Sequence, residues 1–276
     1  MQIIDLSTAI DDKAFEVHHV AIDRVGHKAG VEKFNRVIMG KTLLGKIKYL
    51  LGQRIVKKED LPDGEFLSLE VVHAPVHVGT HLDYSYHYGS LSEGRASKTT
   101  EEIPLDNCYC DGVRLDMRHK KPNEVIQACD VEEALKRIHY SLKKDDIVLF
   151  HTGADRFIGS PKYFSDYPGV DPSAIDYLLD RGVKIFGVDT MGIDRPYQFM
   201  LKEFLEEKKP LYPAHFHGRK REFIHIERLA HLDKIPVDFG FKIICFPVKI
   251  KNTGGAWARV VAIIENREQG SGCGVQ

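Results

Sequence analysis

The sequence lacks an excess of charge of either sign. Lysine and arginine together number 39, against 40 for aspartate and glutamate, which leaves a formal net charge of -1 at pH 7. Proteins that bind nucleic acid or an anionic membrane surface through charge normally carry a basic patch or stripe. We therefore expect no nucleic acid and no membrane among the partners, and we expect a small molecule instead.

Long apolar runs are also missing. No stretch approaches the roughly 20 consecutive apolar residues that a membrane-spanning helix needs. The first ten residues carry Asp5 and no basic segment leading into an apolar run, so we expect no secretory signal. These features predict a cytoplasmic protein.

Cysteine is scarce, and its spacing fits neither of its usual structural uses. The five cysteines are odd in number and form no CxxC pair, which argues against a disulfide framework and against a zinc finger. We expect reduced thiols. The sequence also contains no GxSxG elbow and no phosphate-binding P-loop, which argues against a serine esterase and a nucleotidase. The cysteines lie at positions 108, 110, 129, 245 and 273.

The remaining composition is that of an ordinary globular chain. Of 276 residues, 43% are hydrophobic and 29% are charged, a balance that supports a packed core and is too mixed for disorder. This length suits one sizeable α/β core. We expect a single domain over residues 1–268 and a disordered tail over 269–276.

The periodicity of apolar residues predicts both helices and strands. Over 29–51 they recur every three or four positions, which predicts a core-packing helix interrupted near Gly40 rather than a basic membrane-surface helix. Runs of β-branched and alternating apolar residues predict strands elsewhere. These predicted strands cover 1–7, 16–22, 66–72, 146–150, 184–188, 223–226, 241–250 and 257–264.

Two helix-to-strand steps in the middle of the chain indicate a mixed α/β fold. Asp130 with Glu133 predicts a capping box for a helix over 131–139. A second helix is framed by three residues, and each of the two helices precedes a predicted strand. The framing residues are Asp171 as N-cap, Pro172 at the first helical position and Gly182 just past the end.

One short segment carries an unusual density of metal-binding side chains. It reads His-Val-Gly-Thr-His-Leu-Asp-Tyr-Ser-Tyr-His, which is the pattern HxGTHxDxxxH over residues 77–87. Imidazole and carboxylate suit zinc, manganese or iron, and three protein ligands with open positions are typical of a catalytic site. Asp83 could bridge two metals, and Gly79 would let the backbone fold back so that His77 and His81 converge.

Chance alone produces some of this pattern. Histidine accounts for 14 of the 276 residues, so a second histidine at one given offset arises about one time in twenty. A single pair therefore proves little. Three histidines and an aspartate in one glycine-containing loop are much harder to obtain by chance, and we expect metal binding there.

The motif resembles the signature of the cyclase family, which includes bacterial kynurenine formamidase, isatin hydrolase and several polyketide cyclases. The resemblance extends over 1–264, with 147–153 (IVLFHTG), 187–194 (GVDTMGID) and 255–262 in the order that the family shows. It implies an α/β fold of the swivelling β/β/α type, with a central barrel-like mixed sheet. It also implies assembly as a homodimer or homotetramer.

The resemblance implies roles for the motif residues. His77, His81 and Asp83 would bind a divalent metal, with zinc expected first and manganese as the alternative. His87 would act in acid–base catalysis.

A second metal ion is implied by the same resemblance, for one or two per chain. In the formamidases the bridging aspartate holds it with a later histidine and with a glutamate twelve residues further on, and His215 and Glu227 have that spacing here. His217 competes with His215 for this role. Without the resemblance, Glu227 would be interpreted as part of an ordinary surface salt bridge.

The sequence also departs from the family pattern. Ser85 stands where members with formamidase or isatin activity usually have proline, which stiffens a turn, and the segment 26–63 is longer than its counterpart in the formamidases. These departures bear on substrate identity.

Several other polar residues near the motif have two interpretations. The three tyrosines of the motif region could line an aromatic substrate pocket, or they could simply pack. Two aspartates that flank a tight turn are better explained as turn or capping carboxylates than as catalytic groups. These residues are Tyr84, Tyr86 and Tyr88, and Asp189 and Asp194.

Three functions are compatible with these residues. The first is metal-dependent hydrolysis of an amide, a cyclic amide or a lactone, in which the substrate is a small molecule with a carbonyl group. The second is a biosynthetic cyclase or dehydratase that uses the same metal site. The third is a metal-binding protein without enzymatic activity.

Overall fold

The computed structural model describes residues 1–265. The predicted tail over 269–276 lies outside the described residues. Contacts divide the chain into two compact units, one formed by Met1–Glu16 with the chain from Val76 onward, the other by Val17–Pro75. The single domain over 1–268 therefore stays a prediction.

The described residues contain seven α-helices and fifteen strands. The helices are α1 (His27–Met39), α2 (Leu43–Leu50), α3 (Ser85–Tyr88), α4 (Ala128–Arg137), α5 (Pro172–Leu179), α6 (Tyr197–Glu207) and α7 (Pro213–His217). The strands are β1 (Gln2–Asp5), β2 (Ala21–Val25), β3 (Leu69–His73), β4 (His81–Asp83), β5 (Leu91–Ser92), β6 (Arg95–Ala96), β7 (Tyr109–Asp116), β8 (Val125–Ile126), β9 (Ile147–His151), β10 (Gly169–Val170), β11 (Ile185–Val188), β12 (Ile224–Glu227), β13 (Phe239–Ile244), β14 (Gly255–Trp257) and β15 (Val261–Ile264).

The first unit is built on a curved, half-barrel sheet of nine strands in the order β1-β15-β13-β7-β9-β11-β12-β4-β14. Strands β7, β9, β11 and β12 are mutually parallel, and their neighbours on both sides pair antiparallel. All five residues of β9 are buried, as expected for a parallel strand covered on both faces. The predicted mixed α/β fold with a barrel-like central sheet is confirmed.

Helices α4 and α5 show how the sequence places its caps. Asp171 accepts a hydrogen bond from the backbone N–H of Ser173 at 2.9 Å, so the predicted cap of α5 is present. The prediction for α4 is wrong by one turn, because Asp130 lies inside the helix and accepts from the Gln127 backbone N–H at 2.7 Å. The helix therefore begins at Ala128.

Other predicted boundaries also need correction. The strand predicted over 241–250 ends at Ile244, and Pro247 beyond it cannot donate to a ladder. The strand predicted over 257–264 is two strands, β14 and β15. The segment 77–87, predicted as loop, contains β4 and the helical turn α3, and helices α6 and α7 were not predicted.

The second unit contains α1, α2 and the antiparallel pair β2 and β3. The predicted interruption near Gly40 is confirmed, because α1 ends at Met39 and α2 begins at Leu43. The prediction that 29–51 packs into a core holds for α1 but is wrong for α2, which has no buried residue.

Buried Asn35 ties α1 to the chain that follows α2. Its side-chain amide donates to the carbonyls of Val31 and Val56, and its oxygen accepts from the N–H groups of Ile55 and Val56.

Within residues 1–265, every helix is too short or too polar to cross a membrane.

Candidate metal centre

Strand β4 brings the polar residues of the motif to one face of the large sheet. It pairs antiparallel with β12, so that His81 lies opposite Glu227 and Asp83 lies opposite His225. Side chains two residues apart in a strand share a face. The four polar side chains therefore converge on one side of the sheet, while Leu82 between them is fully buried in the core.

Two glycines make room for this convergence. Gly79 has a φ of 73°, in the left-handed region that favours glycine, and the turn it makes places His77 near His81, as predicted. Gly255 lies opposite Asp83 on the other neighbouring strand, β14. A Cβ at Gly255 would lie 2.6 Å from His77 Cε1 and 2.7 Å from Asp83 Oδ1, so the polar cluster occupies the space a side chain would need.

One group of ligand atoms surrounds the outer side of Asp83. His77 Nδ1 lies 3.0 Å from Asp83 Oδ1, and His87 Nε2 lies 3.8 Å from Asp83 Oδ2. The rings of His77 and His87 are 4.2 Å apart between centroids. About a third of each of these imidazoles is exposed, 30% and 33% respectively, so solvent reaches this side of the centre.

A second group lies deeper and contains a residue that the sequence analysis missed. Asp83, His215, His225 and Glu227 offer ligand atoms that all lie within 4.8 Å of one another. His215 Nε2 is 3.5 Å from Glu227 Oε1, and His225 Nε2 is 3.4 Å from Asp83 Oδ2. The predicted pair of His215 and Glu227 is thus brought to Asp83, together with His225.

The ligand atoms of His81 and Asp83 are suited to a divalent cation. His81 Nδ1 donates to the Gly79 carbonyl at 2.9 Å, which leaves the lone pair of His81 Nε2 facing the cluster. That nitrogen and both carboxylate oxygens of Asp83 are buried and have no hydrogen-bond partner among the described residues. Buried polar atoms are normally satisfied, and a cation coordinated by these atoms would satisfy all three.

The electrostatics of the cluster favour positive charge. Burial alone would lower the pKa of His81, but the charges of Asp83 and Glu227 raise it to about 10. Burial opposes ionisation of Asp83, yet the neighbouring histidines hold its pKa well below the usual range. The same carboxylates would attract a dication, which competes with protons for these ligands.

His87 differs electrostatically from His81. Burial lowers the pKa of His87 to about 4, and the opposing charge of Asp83 does not compensate. The imidazole is therefore neutral at pH 7 and can accept a proton. A neutral imidazole can equally bind metal, so the acid–base role of His87 stays a prediction.

The predicted capping aspartates have clear positions. Asp194 accepts from the backbone N–H groups of Ala214 and His215, at 2.8 and 3.0 Å, and from His215 Nδ1 at 2.6 Å. It therefore holds the first turn of α7 and fixes which nitrogen of His215 faces Glu227. His217 instead pairs with Asp176 at 2.9 Å and lies outside the cluster.

Asp189 lies under the turn that follows β9. It accepts from the backbone N–H groups of Thr152 and Gly153 and from the Thr152 hydroxyl, with distances of 2.5 to 3.0 Å. This is a structural use of the carboxylate, in line with the interpretation as a turn or capping residue.

The three tyrosines occupy different environments. Tyr84 is buried and donates to Glu222 at 2.8 Å, while Tyr88 is buried with its hydroxyl 2.8 Å from His225 Nδ1. Tyr86 is 52% exposed. Contact of these tyrosines with substrate stays a prediction, for which Tyr86 is the most accessible of the three.

Ser85 stabilises this turn through a hydrogen bond, without the rigid ring of a proline. It is fully buried, and its hydroxyl accepts from the Lys98 backbone N–H at 3.2 Å. A proline at this position would leave that N–H without this partner. The turn is held by a hydrogen bond instead of a ring.

His225 could have been found from the sequence. The run Phe-Ile-His-Ile-Glu at 223–227 alternates apolar and polar residues, which places His225 and Glu227 on the same face of a strand. The twelve-residue spacing from His215 predicts Glu227 alone.

Comparisons with known proteins agree with this architecture. The model of the family described as "Putative cyclase" matches residues 4–195. An isatin hydrolase of Roseibium aggregatum is 24% identical over 212 residues, covering 73% of this chain and 77% of its own length.

Solved structures show the same fold. A crystal structure of an isatin hydrolase bound to the product analogue thioisatinate has a TM-score of 0.70 at 19% identity, covering 96% of this chain and 93% of that one. The structure of a potential metal-dependent hydrolase with cyclase activity has a TM-score of 0.59 at 20% identity, covering 96% and 98%.

Proposed function

Because this chain belongs to the cyclase family, we propose that it is a metal-dependent hydrolase that opens an amide, a cyclic amide or a lactone. The proposal depends on one observation. Three potential metal-ligand atoms, His81 Nε2 and the two carboxylate oxygens of Asp83, are buried without hydrogen-bond partners. The similarity to isatin hydrolase, a protein named for hydrolysis, supports the reaction class.

Different residues of the chain would bind the cation and transfer the proton in such a reaction. A divalent cation held by His77, His81 and Asp83 would lower the pKa of a bound water to ~7 and polarise a carbonyl. His87 stands on the same exposed side, 3.8 Å from Asp83, with a neutral imidazole. It would take a proton during attack and return it to the leaving nitrogen or oxygen, a contribution of ~10²–10⁴-fold.

The proposed substrate is a small molecule whose carbonyl adjoins nitrogen or oxygen and is carried beside a flat apolar group. Two observations support this choice. Tyr86, which precedes His87 in the sequence, has an exposed aromatic ring, and aromatic faces pack well against flat substrates. The similar isatin hydrolase is named for a compound of this kind, a lactam fused to an aromatic ring.

Further properties belong to the same proposal. Zinc is the cation expected first and manganese the alternative, because imidazole and carboxylate accept both. We also propose a cytoplasmic location, and assembly as a homodimer or homotetramer, which the family resemblance implies.

A second candidate is ring closure by a biosynthetic cyclase. It is favoured by the similarity to a structure described as a potential metal-dependent hydrolase with cyclase activity. In that reaction His87 would remove a proton from carbon, and no water would be added to the product.

The test is a substrate panel assayed with zinc-loaded and manganese-loaded protein. The panel holds N-formylkynurenine, isatin, simple lactones and linear polyketide mimics, with His87→Ala as control. Hydrolysis with incorporation of oxygen from labelled water supports the proposal. Ring closure of the mimics without that label would favour the cyclase, and inactivity of fully metallated protein would favour a metal-binding protein without enzymatic activity.

A further inference from the structure

Helix α2 of the second unit carries its apolar side chains on the surface. None of its eight residues is buried. Four leucines of the helix and its end are 62% to 82% exposed, and the isoleucine between them is 46% exposed. Soluble proteins rarely expose contiguous apolar side chains of this kind unless they bind something there. We call these five residues the α2 face; they are Leu43, Leu44, Ile47, Leu50 and Leu51.

The opposite side of α2 is fixed against α1. Tyr49 donates a hydrogen bond to Glu32 Oε1 at 2.5 Å, and Arg54 pairs with the same carboxylate at 2.6 Å while lying over the Tyr49 ring. A Cβ at Gly45 would collide with the Met39 carbonyl, so α2 approaches the end of α1 closely at this point. Because Gly45 and Tyr49 lie one turn apart on one side of the helix, these contacts turn the α2 face toward solvent.

The α2 face is one continuous stripe with a lysine at each edge. At about 100° per residue, its five positions span an arc of about 120° around the helix axis. Lys46 and Lys48 lie about 40° beyond the two edges, one on each side, and both are exposed. From such positions the ammonium group can reach a polar layer while the methylenes lie along apolar surface. This arrangement is typical of a helix that lies in the interface of a bilayer.

The chain around the α2 face is charged with one sign only. Residues 41–58 contain six basic side chains and no acidic one, whereas the whole chain has a net charge of -1. Arg54 is paired with Glu32, which leaves five lysines. The whole-chain charge therefore does not describe this surface, which complements a layer of anionic groups. The lysines are Lys41, Lys46, Lys48, Lys57 and Lys58, all of them exposed.

A second copy of the chain fits this surface less well than a bilayer does. Two copies that met through the α2 face about a twofold axis would bring the same lysines together, and like charges at an interface are costly. A bilayer with anionic lipids offers hydrocarbon to the leucines and phosphate groups to the lysines at the same time. The combination of stripe and charge favours the bilayer.

We propose that the α2 face binds the surface of a bilayer that contains anionic lipids, with its leucines among the acyl chains and the flanking lysines at the phosphate groups. The proposal departs from the expectation of no membrane partner, which rests on the net charge of the whole chain. It goes beyond the proposed metal-dependent function and does not depend on it.

The experiment measures co-sedimentation of the full-length protein with two kinds of vesicle. One kind is phosphatidylcholine alone, and the other is phosphatidylcholine mixed with phosphatidylglycerol. We expect binding to the mixed vesicles to be stronger by about 10²-fold or more, since each lysine near an anionic surface contributes about 5-fold. Added salt should weaken this binding, because it screens exposed charges.

Two double variants separate the apolar contribution from the charged one. Leu44→Gln with Leu50→Gln should weaken binding to the mixed vesicles about 10-fold or more, because two side chains no longer enter the acyl region. Lys46→Gln with Lys48→Gln should weaken it about 30-fold, at about 5-fold for each lysine. All four side chains are exposed, so we expect both variants to fold.

The matched controls change comparably exposed leucines and lysines of the first unit. Both controls should bind the mixed vesicles as the unchanged protein does, because neither alters the α2 face or the residues around it. They are Leu105→Gln with Leu205→Gln, and Lys249→Gln with Lys251→Gln.

Three results would overturn the proposal. The first is no binding to the mixed vesicles, or equal binding to both kinds. The second is an equal loss of binding in the control variants. The third is a lower molar mass of the Leu44→Gln, Leu50→Gln protein in analytical ultracentrifugation, which would assign the α2 face to contact between copies of the chain. None of these results bears on metal binding, so the proposed function is tested separately.

Discussion

The two sides of Asp83 differ in their access to solvent. On the outer side, His77 and His87 are 30% and 33% exposed, whereas on the inner side His215 is 13% exposed and His225 is completely buried. His81, which we assign to the outer cation position, is itself fully buried, so the difference in access rests on His77 and His87. We therefore expect substrate to meet the centre at the outer side.

We expect the largest effect from a substitution that removes metal binding on both sides of Asp83 at once. Asp83→Asn keeps the size of the residue but removes the one carboxylate that both proposed cation positions would share. We expect metal content below one equivalent per chain and turnover at background. Retention of one full equivalent would show that one of the positions does not depend on Asp83.

The next effect should appear on the outer side alone. His87→Ala should retain its metal and lose about 10²–10⁴-fold in turnover, because the imidazole is assigned to proton transfer. Metal content and activity are measured on the same preparation. If both fall in step, His87 is a ligand, a result that its 3.8 Å distance from Asp83 would permit.

A smaller effect is expected on the inner side. Asp194→Asn removes the carboxylate that accepts from His215, so the affinity for a cation held by Asp83, His215 and Glu227 should fall about 10–100-fold, while a cation at His77, His81 and Asp83 should be unaffected. Asp176→Asn is the matched control, because Asp176 pairs with His217, a histidine outside the cluster. Equal loss in both variants would indicate a general effect on stability.

The outer side was easier to predict from sequence than the inner side. His77, His81 and Asp83 lie within seven residues, and one glycine turn and one strand are enough to bring them together. The inner side combines β4 with β12 and α7, and the pairing register of distant strands is not encoded locally. The resemblance supplied His215 and Glu227, while His225 was missed.

The fold shows the same limit. Caps and periodicity located α1, α2, α5 and three of the four parallel strands, β9, β11 and β12, since these signals lie within a few residues of one another, whereas β7 was not predicted. Helix α7 has five residues and begins after a tyrosine with a φ of 50°, and Asp194 from another part of the chain accepts hydrogen bonds from its first turn. Such an element is predictable only once the tertiary contact is known.

Elemental analysis of the purified protein tests the central claim most directly. The unpaired atoms of His81 and Asp83 predict one or two divalent metal ions per chain, present on isolation or taken up from zinc or manganese solutions. Metal well below one equivalent, with no uptake from either solution, would contradict the account.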